Sequence, residues 1–170
     1  LTPTPVKQIA KKYHLPITYS LKSQSSKNKT SWQNLKFNKE ILDLSCQSNV
    51  YDEGFDIGLI YAYSSIIPKE LLSVPRYGFW CIHPSLLPQY RGPSPIAYSL
   101  INGDKKTGVT IFEMDEKIDH GPLIAQQEQE ILPTDHRLDL EKKLTDLAFS
   151  LFKKLILTDF SRHRLIPQPH

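Results

Sequence analysis

Cysteine is scarce in this chain. Cys46 and Cys81 stand apart, outside any C-x-x-C spacing, which excludes a disulfide framework and a cysteine-built metal cluster. Neither thiol is expected to have a disulfide partner, and a reducing, cytoplasmic setting is the natural expectation. No apolar run approaches the roughly 20 residues that span a bilayer, so no membrane partner is expected. An excess of one charge is lacking too. Twenty-one Lys and Arg against 18 Asp and Glu leave +3, which tolerates an anionic partner without demanding nucleic acid. No signal peptide is expected ahead of Asn28-Lys29-Thr30, so that triplet carries little weight as a glycosylation acceptor. Methionine occurs once, at Met114, and the chain opens on Leu1, so a fragment or processed product is expected. No internal repeat is visible.

What is present suits one α/β domain: 170 residues at 39% apolar content can bury a core without disulfides or metals. Thr4 can cap a helix with Pro5 at its first position, and Val6, Ile9, Ala10 and Tyr13 recur at helical spacing until Pro16. Residues 15–19 read as a short strand. Residues 20–31 are almost all polar and read as a mobile loop. Phe37, Ile41, Leu42 and Leu44 suggest a second helix. The near-continuous apolar run 55–62 predicts a strand buried on both faces. A short helix over 69–72, a strand over 78–83, a helix over 96–101 ending at Gly103, and strands over 107–115 and 123–131 follow. Leu140, Leu144, Leu147, Ala148, Leu151, Phe152, Leu155 and Ile156 step by three or four residues and predict one amphipathic final helix. Alternating strands and helices predict an open α/β sheet, parallel in its centre.

In such a sheet the binding crevice lies beyond the carboxyl ends of the strands. His83 ends its strand there and runs into Pro84 and Ser85. Asp119 follows 36 residues later, beside Gly121, which suits a sharp turn near a ligand. A carboxylate beside an imidazole orients the ring and lets the pair manage protons as an amine attacks a carbonyl. Ser85-Leu-Leu-Pro88 restricts the backbone and offers two leucines either to a flat ligand or to the core. Arg91 could clamp an anion, although an arginine before Gly92 is usually a surface side chain. His120 is expected to be merely exposed.

The run His83-Pro-Ser-Leu-Leu-Pro-Gln-Tyr-Arg-Gly-Pro-Ser-Pro-Ile96, then Thr107-Gly-Val-Thr110 and Ile118-Asp-His-Gly121, resembles the folate-dependent formyltransferases, most closely the amino-terminal domain of those acting on methionyl-tRNA. The likeness extends to Thr2-Pro-Thr-Pro-Val-Lys-Gln-Ile-Ala10, Tyr61-Ala-Tyr-Ser-Ser-Ile-Ile-Pro68 and Ile166-Pro-Gln168. It implies a Rossmann-like fold, an open and mainly parallel sheet with helices on both faces. Residues 1–170 would form a partial catalytic domain lacking the family's opening strand-helix-strand and its carboxy-terminal barrel. Loss of the first strands would expose a sheet edge and invite self-association. The resemblance also implies 10-formyltetrahydrofolate as a consumed co-substrate, no metal, and methionyl initiator tRNA as the partner that accepts the formyl group.

By the same resemblance His83 and Asp119 would be catalytic, with Cys81 where the family has an asparagine that donates to the oxyanion. A thiol is a much weaker donor. A nucleophilic Cys81 would require a lowered thiol pKa. Ser85, Leu86, Leu87 and Pro88, with Tyr61, Tyr63, Ile66 and Ile67, would line the folate pocket, and Arg91 and Gly92 would meet the acceptor. Two alternatives stay open. One is an acceptor that is an amino sugar or glycinamide ribonucleotide, and the other is a non-catalytic remnant of the family.

Overall fold

The five residues Phe79–His83 form a strand because aromatic and aliphatic side chains alternate across a pleated surface, with Trp80 and Ile82 turned to one side and Cys81 and His83 to the other. The computed structural model describes residues 56–63, 67, 69–158 and 163–169, all inside the compact unit Glu53–His170. The helices expected from Pro5 and from Phe37, the strand 15–19, the loop 20–31 and Ile66 lie outside the described residues.

Chain order is β1 (Gly58–Tyr61), α1 (Lys69–Leu72), β2 (Phe79–His83), α2 (Pro95–Ile101), β3 (Lys106–Glu113), β4 (Leu123–Glu130) and α3 (Arg137–Ile156). The described strands form one open sheet in the order β1-β2-β3-β4. β1 runs parallel to β2, while β2–β3 and β3–β4 are antiparallel. The expected α/β sheet is therefore present, and its described part is mixed. Residues 114–122 are too few to carry a crossover helix, so β4 returns antiparallel beside β3. Burial of β1 on both faces is not found. Leu59 and Tyr61 are 44% and 48% exposed, and only the alternate residues are half-buried.

β3 is the centre of the packing. Val109 and Ile111 face Trp80, Ile82 and the α3 residues Leu140, Leu144, Ala148, Leu151 and Leu155 in one apolar cluster. Ile96 and Leu100 of α2 pack against the same cluster. Ile156, counted in the apolar stripe from spacing, ends exposed at the last turn. α3 starts with a capping box in which Asp139 Oδ2 accepts from the backbone N–H of His136 at 3.0 Å. Lys153 and Lys154 sit in its last turn, where cations suit the helix dipole. The opposite face of β3 is covered by residues 84–92. Leu86 lies over Gly108, and the Leu87 N–H donates to Thr110 Oγ1 at 3.1 Å.

Candidate active site

The register of β2 on β3 sets His83 opposite Thr110 and Cys81 opposite Phe112, both on the face away from α3. His83 is only 6% exposed. Its Nε2 lies 2.9 Å from the carbonyl oxygen of Tyr90, and a carbonyl only accepts, so Nε2 carries a proton. Nδ1 lies 3.6 Å from Asp119 Oδ2. Tyr90 reaches this position through a left-handed backbone (φ +56°), and its side chain is anchored well away from the ring it holds. The phenol donates to Asp104 Oδ2 at 2.6 Å and accepts from Asn102 Nδ2 at 2.9 Å.

Asp119 also sits in the left-handed region, at φ +46°, a conformation that costs a non-glycine residue about 1–2 kcal/mol. It is held on both sides. Its Oδ2 accepts the Gly92 N–H at 2.7 Å, and its carbonyl accepts from Gln168 Nε2 at 3.1 Å. Gly121 is needed for close approach, because a Cβ there would collide with the Glu113 carbonyl oxygen. His120 is not merely exposed as expected; it is half-buried and donates from Nδ1 to Asp115 Oδ2 at 2.6 Å.

Cys81 lies beneath the pair on the same strand face, half-buried and free of any disulfide. Burial, with the Asp119 charge adding to it, pushes its thiol up to about 12. A thiol held so far above neutral pH stays protonated and is a poor nucleophile, the opposite of what a reactive cysteine needs.

The remaining expected residues divide. Ser85 and Leu87 are buried and partnered: Ser85 Oγ donates to the Gln89 carbonyl within the loop at 2.6 Å, and the Leu87 carbonyl accepts from Gln126 Nε2 of β4 at 3.0 Å. Leu86 is half-buried and Pro88 exposed. Tyr61 pairs with Ile82 and so points to the α3 side, where its hydroxyl meets Thr145 at 3.0 Å. The structure does not bring it to His83. Tyr63 is exposed and Ile67 half-buried. Arg91 is occupied: Nε and Nη2 donate to Gln168 Oε1 at 3.0 and 2.7 Å. Gly92 is the surprise of the set, since its N–H binds the carboxylate of Asp119. Gln168 and Tyr90 carried no role in the sequence reading. Gln168 belonged to a quoted motif, but nothing in one sequence reveals a contact 47 residues away.

Two cavities lie elsewhere. One of about 280 Å³ is lined by Trp80, Glu113 and His163 on the α3 side of the sheet, and one of about 930 Å³ lies between β4 and α3. Neither includes His83 or Asp119, and proton chemistry belongs where the ionisable groups converge. Among the described residues no cluster of three or more His, Cys, Asp or Glu is gathered to hold a metal, and no described helix is long and apolar enough to cross a membrane. An imidazole anchored at one nitrogen and facing a carboxylate at the other can take a proton and return it within one reaction.

The chain is similar to known formyltransferases. The family model described as formyl transferase matches residues 6–156. A methionyl-tRNA formyltransferase of Prochlorococcus marinus subsp. pastoris is 36% identical over 156 residues, 92% of this chain and 42% of the relative. One from Caldicellulosiruptor saccharolyticus is 37% identical over 151 residues, 89% of this chain and 43% of the relative. The chain thus spans about two fifths of the length of these curated relatives. Among solved structures, a phosphoribosylglycinamide formyltransferase from Bacillus halodurans superposes with a TM-score of 0.67 at 26% identity, covering 89% of this chain and 73% of that one.

Proposed function

The chain belongs to the formyl transferase family, and on that premise we propose that it transfers a formyl group from 10-formyltetrahydrofolate to the amino group of methionyl initiator tRNA. The observation that carries this reading is the approach of His83 Nδ1 to within 3.6 Å of Asp119 Oδ2 at the carboxyl end of β2. The neutral amine attacks the formyl carbon, its electron pair forming the new C–N bond while the carbonyl pair moves to oxygen. The nitrogen becomes positive and must lose a proton before the intermediate collapses, and the departing folate nitrogen must gain one. His83 takes the proton at Nδ1 and returns it, while Asp119 holds the ring in place and balances the imidazolium charge. The folate is consumed as co-substrate, and the chemistry as proposed uses no metal. Because only the neutral amine attacks, the rate rises with pH until that amine is free.

The residues left to meet the pterin are Leu86 and Pro88, with Tyr63 and Ile67 preceding α1, while Ser85 and Leu87 hold the loop that presents them. Residues 1–170 would then be part of a catalytic domain whose relatives are longer. Methionyl-tRNA is favoured as acceptor by the relatives' names and by the Arg91-Gly-Pro-Ser-Pro-Ile96 run.

Cys81 favours a second reading, an impaired or non-catalytic member, because a protonated thiol replaces the amide donor expected at the oxyanion. One experiment separates the readings. With a formyl-labelled donor, label should pass to charged initiator tRNA and not to an amino-sugar nucleotide or glycinamide ribonucleotide, and Cys81→Asn should raise the rate by about 10²–10³-fold. Transfer to the sugar alone would end the tRNA assignment, and an unchanged rate in Cys81→Asn would remove the thiol as the cause of impairment.

A further inference from the structure

We infer that Gln168 is a positioning residue for the proposed formyl transfer: it closes a ring of contacts that aims Asp119 at His83. The inference rests on the reading of the His83–Asp119 pair given above, and extends it to a residue outside the pair. Gln168 is 7% exposed, and its amide is satisfied four ways. Nε2 donates to the carbonyls of Asp119 at 3.1 Å and Gly121 at 2.7 Å, and Oε1 accepts from Arg91 Nε at 3.0 Å and Nη2 at 2.7 Å. Only a primary amide offers two donors and two acceptor lone pairs in one plane. Turning the amide over would set its NH2 against a guanidinium and its oxygen against two carbonyls, so the network fixes its orientation.

The circuit closes on the catalytic carboxylate. Arg91 is covalently joined to Gly92, the Gly92 N–H donates to Asp119 Oδ2, Asp119 offers its carbonyl to Gln168, and Gln168 returns to Arg91. Arg91 Nη2 also donates to the Pro169 carbonyl at 3.3 Å. Register places Gln168 without help from its side chain. Ile166 forms an antiparallel bridge with Leu123 through paired bonds of 2.7 and 2.9 Å, and two further residues set Gln168 opposite Gly121. The strained φ of Asp119 explains why such a brace is needed, since an unsupported aspartate would relax toward negative φ and swing its carboxylate away from the ring. Arg91 accordingly acts as a strut between two loops, with Nε and Nη2 already taken, and not as a free cation for an acceptor phosphate.

The test reads His83 directly, by nitrogen NMR of histidine-labelled chain with the His83 signals assigned by His83→Gln. Gln168→Glu keeps an acceptor for Arg91 and loses both donors to the Asp119 loop, whereas Gln168→Met loses both arms. Each should move the Nδ1 signal of His83 toward its position in Asp119→Asn, and neither should move it further once Asp119 is already Asn. Where formyl transfer is measurable, kcat should fall on the order of 10- to 100-fold with KM for the folate donor held within about twofold, as expected for misplaced rather than missing groups. An unmoved His83 signal in folded variants would overturn the inference. So would loss of the fold in both, because Gln168 would then be holding the domain together and not aiming Asp119. Should the unmodified chain transfer formyl to no acceptor, the proposed function fails while the NMR comparison still decides the role of Gln168.

Discussion

Because the Tyr90 carbonyl can only accept, the neutral ring of His83 keeps its proton on Nε2 and presents Nδ1 as its basic atom, toward Asp119. Strand-end histidine and loop aspartate were both readable from sequence, since an apolar run ending in His-Pro and an aspartate next to a glycine each announce a chain leaving the core. Tyr90 was not, because it acts through its backbone carbonyl, a group every residue type carries. Cys81 was readable as facing the site, by strand alternation alone, and its chemistry follows from its burial. For an acidic group, a folded-state pKa raised from 9.0 to about 12 means that the folded chain binds the thiol proton more tightly than the unfolded chain does. That contribution is fully present below pH 9.0 and is lost as pH rises toward 12. Urea titrations at pH 8 and at pH 10.5 should therefore show a loss of stability that Cys81→Ala reduces, and an identical loss in the variant would show that Cys81 is not the group responsible.

At the scale of elements, β3 ties the two layers together. Val109 and Ile111 enter the α3 core, while Thr110 between them holds residues 84–92 to the other face. Its Oγ1 donates to the Ser85 carbonyl at 2.6 Å and accepts from the Leu87 N–H at 3.1 Å and Gln126 Nε2 at 2.8 Å. Thr110→Val keeps the shape and removes all three partners, so a buried N–H and a buried carbonyl lose their bonds; the expected cost is about 1–3 kcal/mol of unfolding free energy by urea titration. Formyl transfer should fall with it, because the loop that carries Tyr90 is then less firmly docked. A change within about 0.5 kcal/mol, the ordinary scatter of neutral substitutions, would mean the hydroxyl is not the loop's anchor. Elements themselves were legible where periodicity was strong: α3, and the short helix over 69–72, match their expected spans closely. Strand direction was not, because alternation reports which face a residue takes and is silent on which way the neighbouring strand runs. The parallel character stops at β1–β2, and Tyr61, one residue past the Ile60 that pairs with Cys81, points to α3.

For the whole molecule, three distant stretches must meet for the site to exist: the end of β2 with the loop after it, the loop before β4, and the segment 166–169 that bridges to Leu123. A single sequence shows each stretch but not their closure, since Arg91, Asp119 and Gln168 have no shared periodicity to betray contact. The chain belongs to the formyl transferase family, and formyl transfer is the chemistry proposed for the closed arrangement. The direct measurement is a double-mutant cycle on kcat/KM for formyl transfer to charged initiator tRNA, made in the Cys81→Asn background so that the rate is high enough to follow. His83→Ala and Asp119→Asn should each lower it by about 10²–10⁴-fold. If the two side chains act as one unit, the double variant should be hardly worse than either single one. Losses that multiply, or a His83→Ala enzyme that keeps the parent rate, would contradict the account.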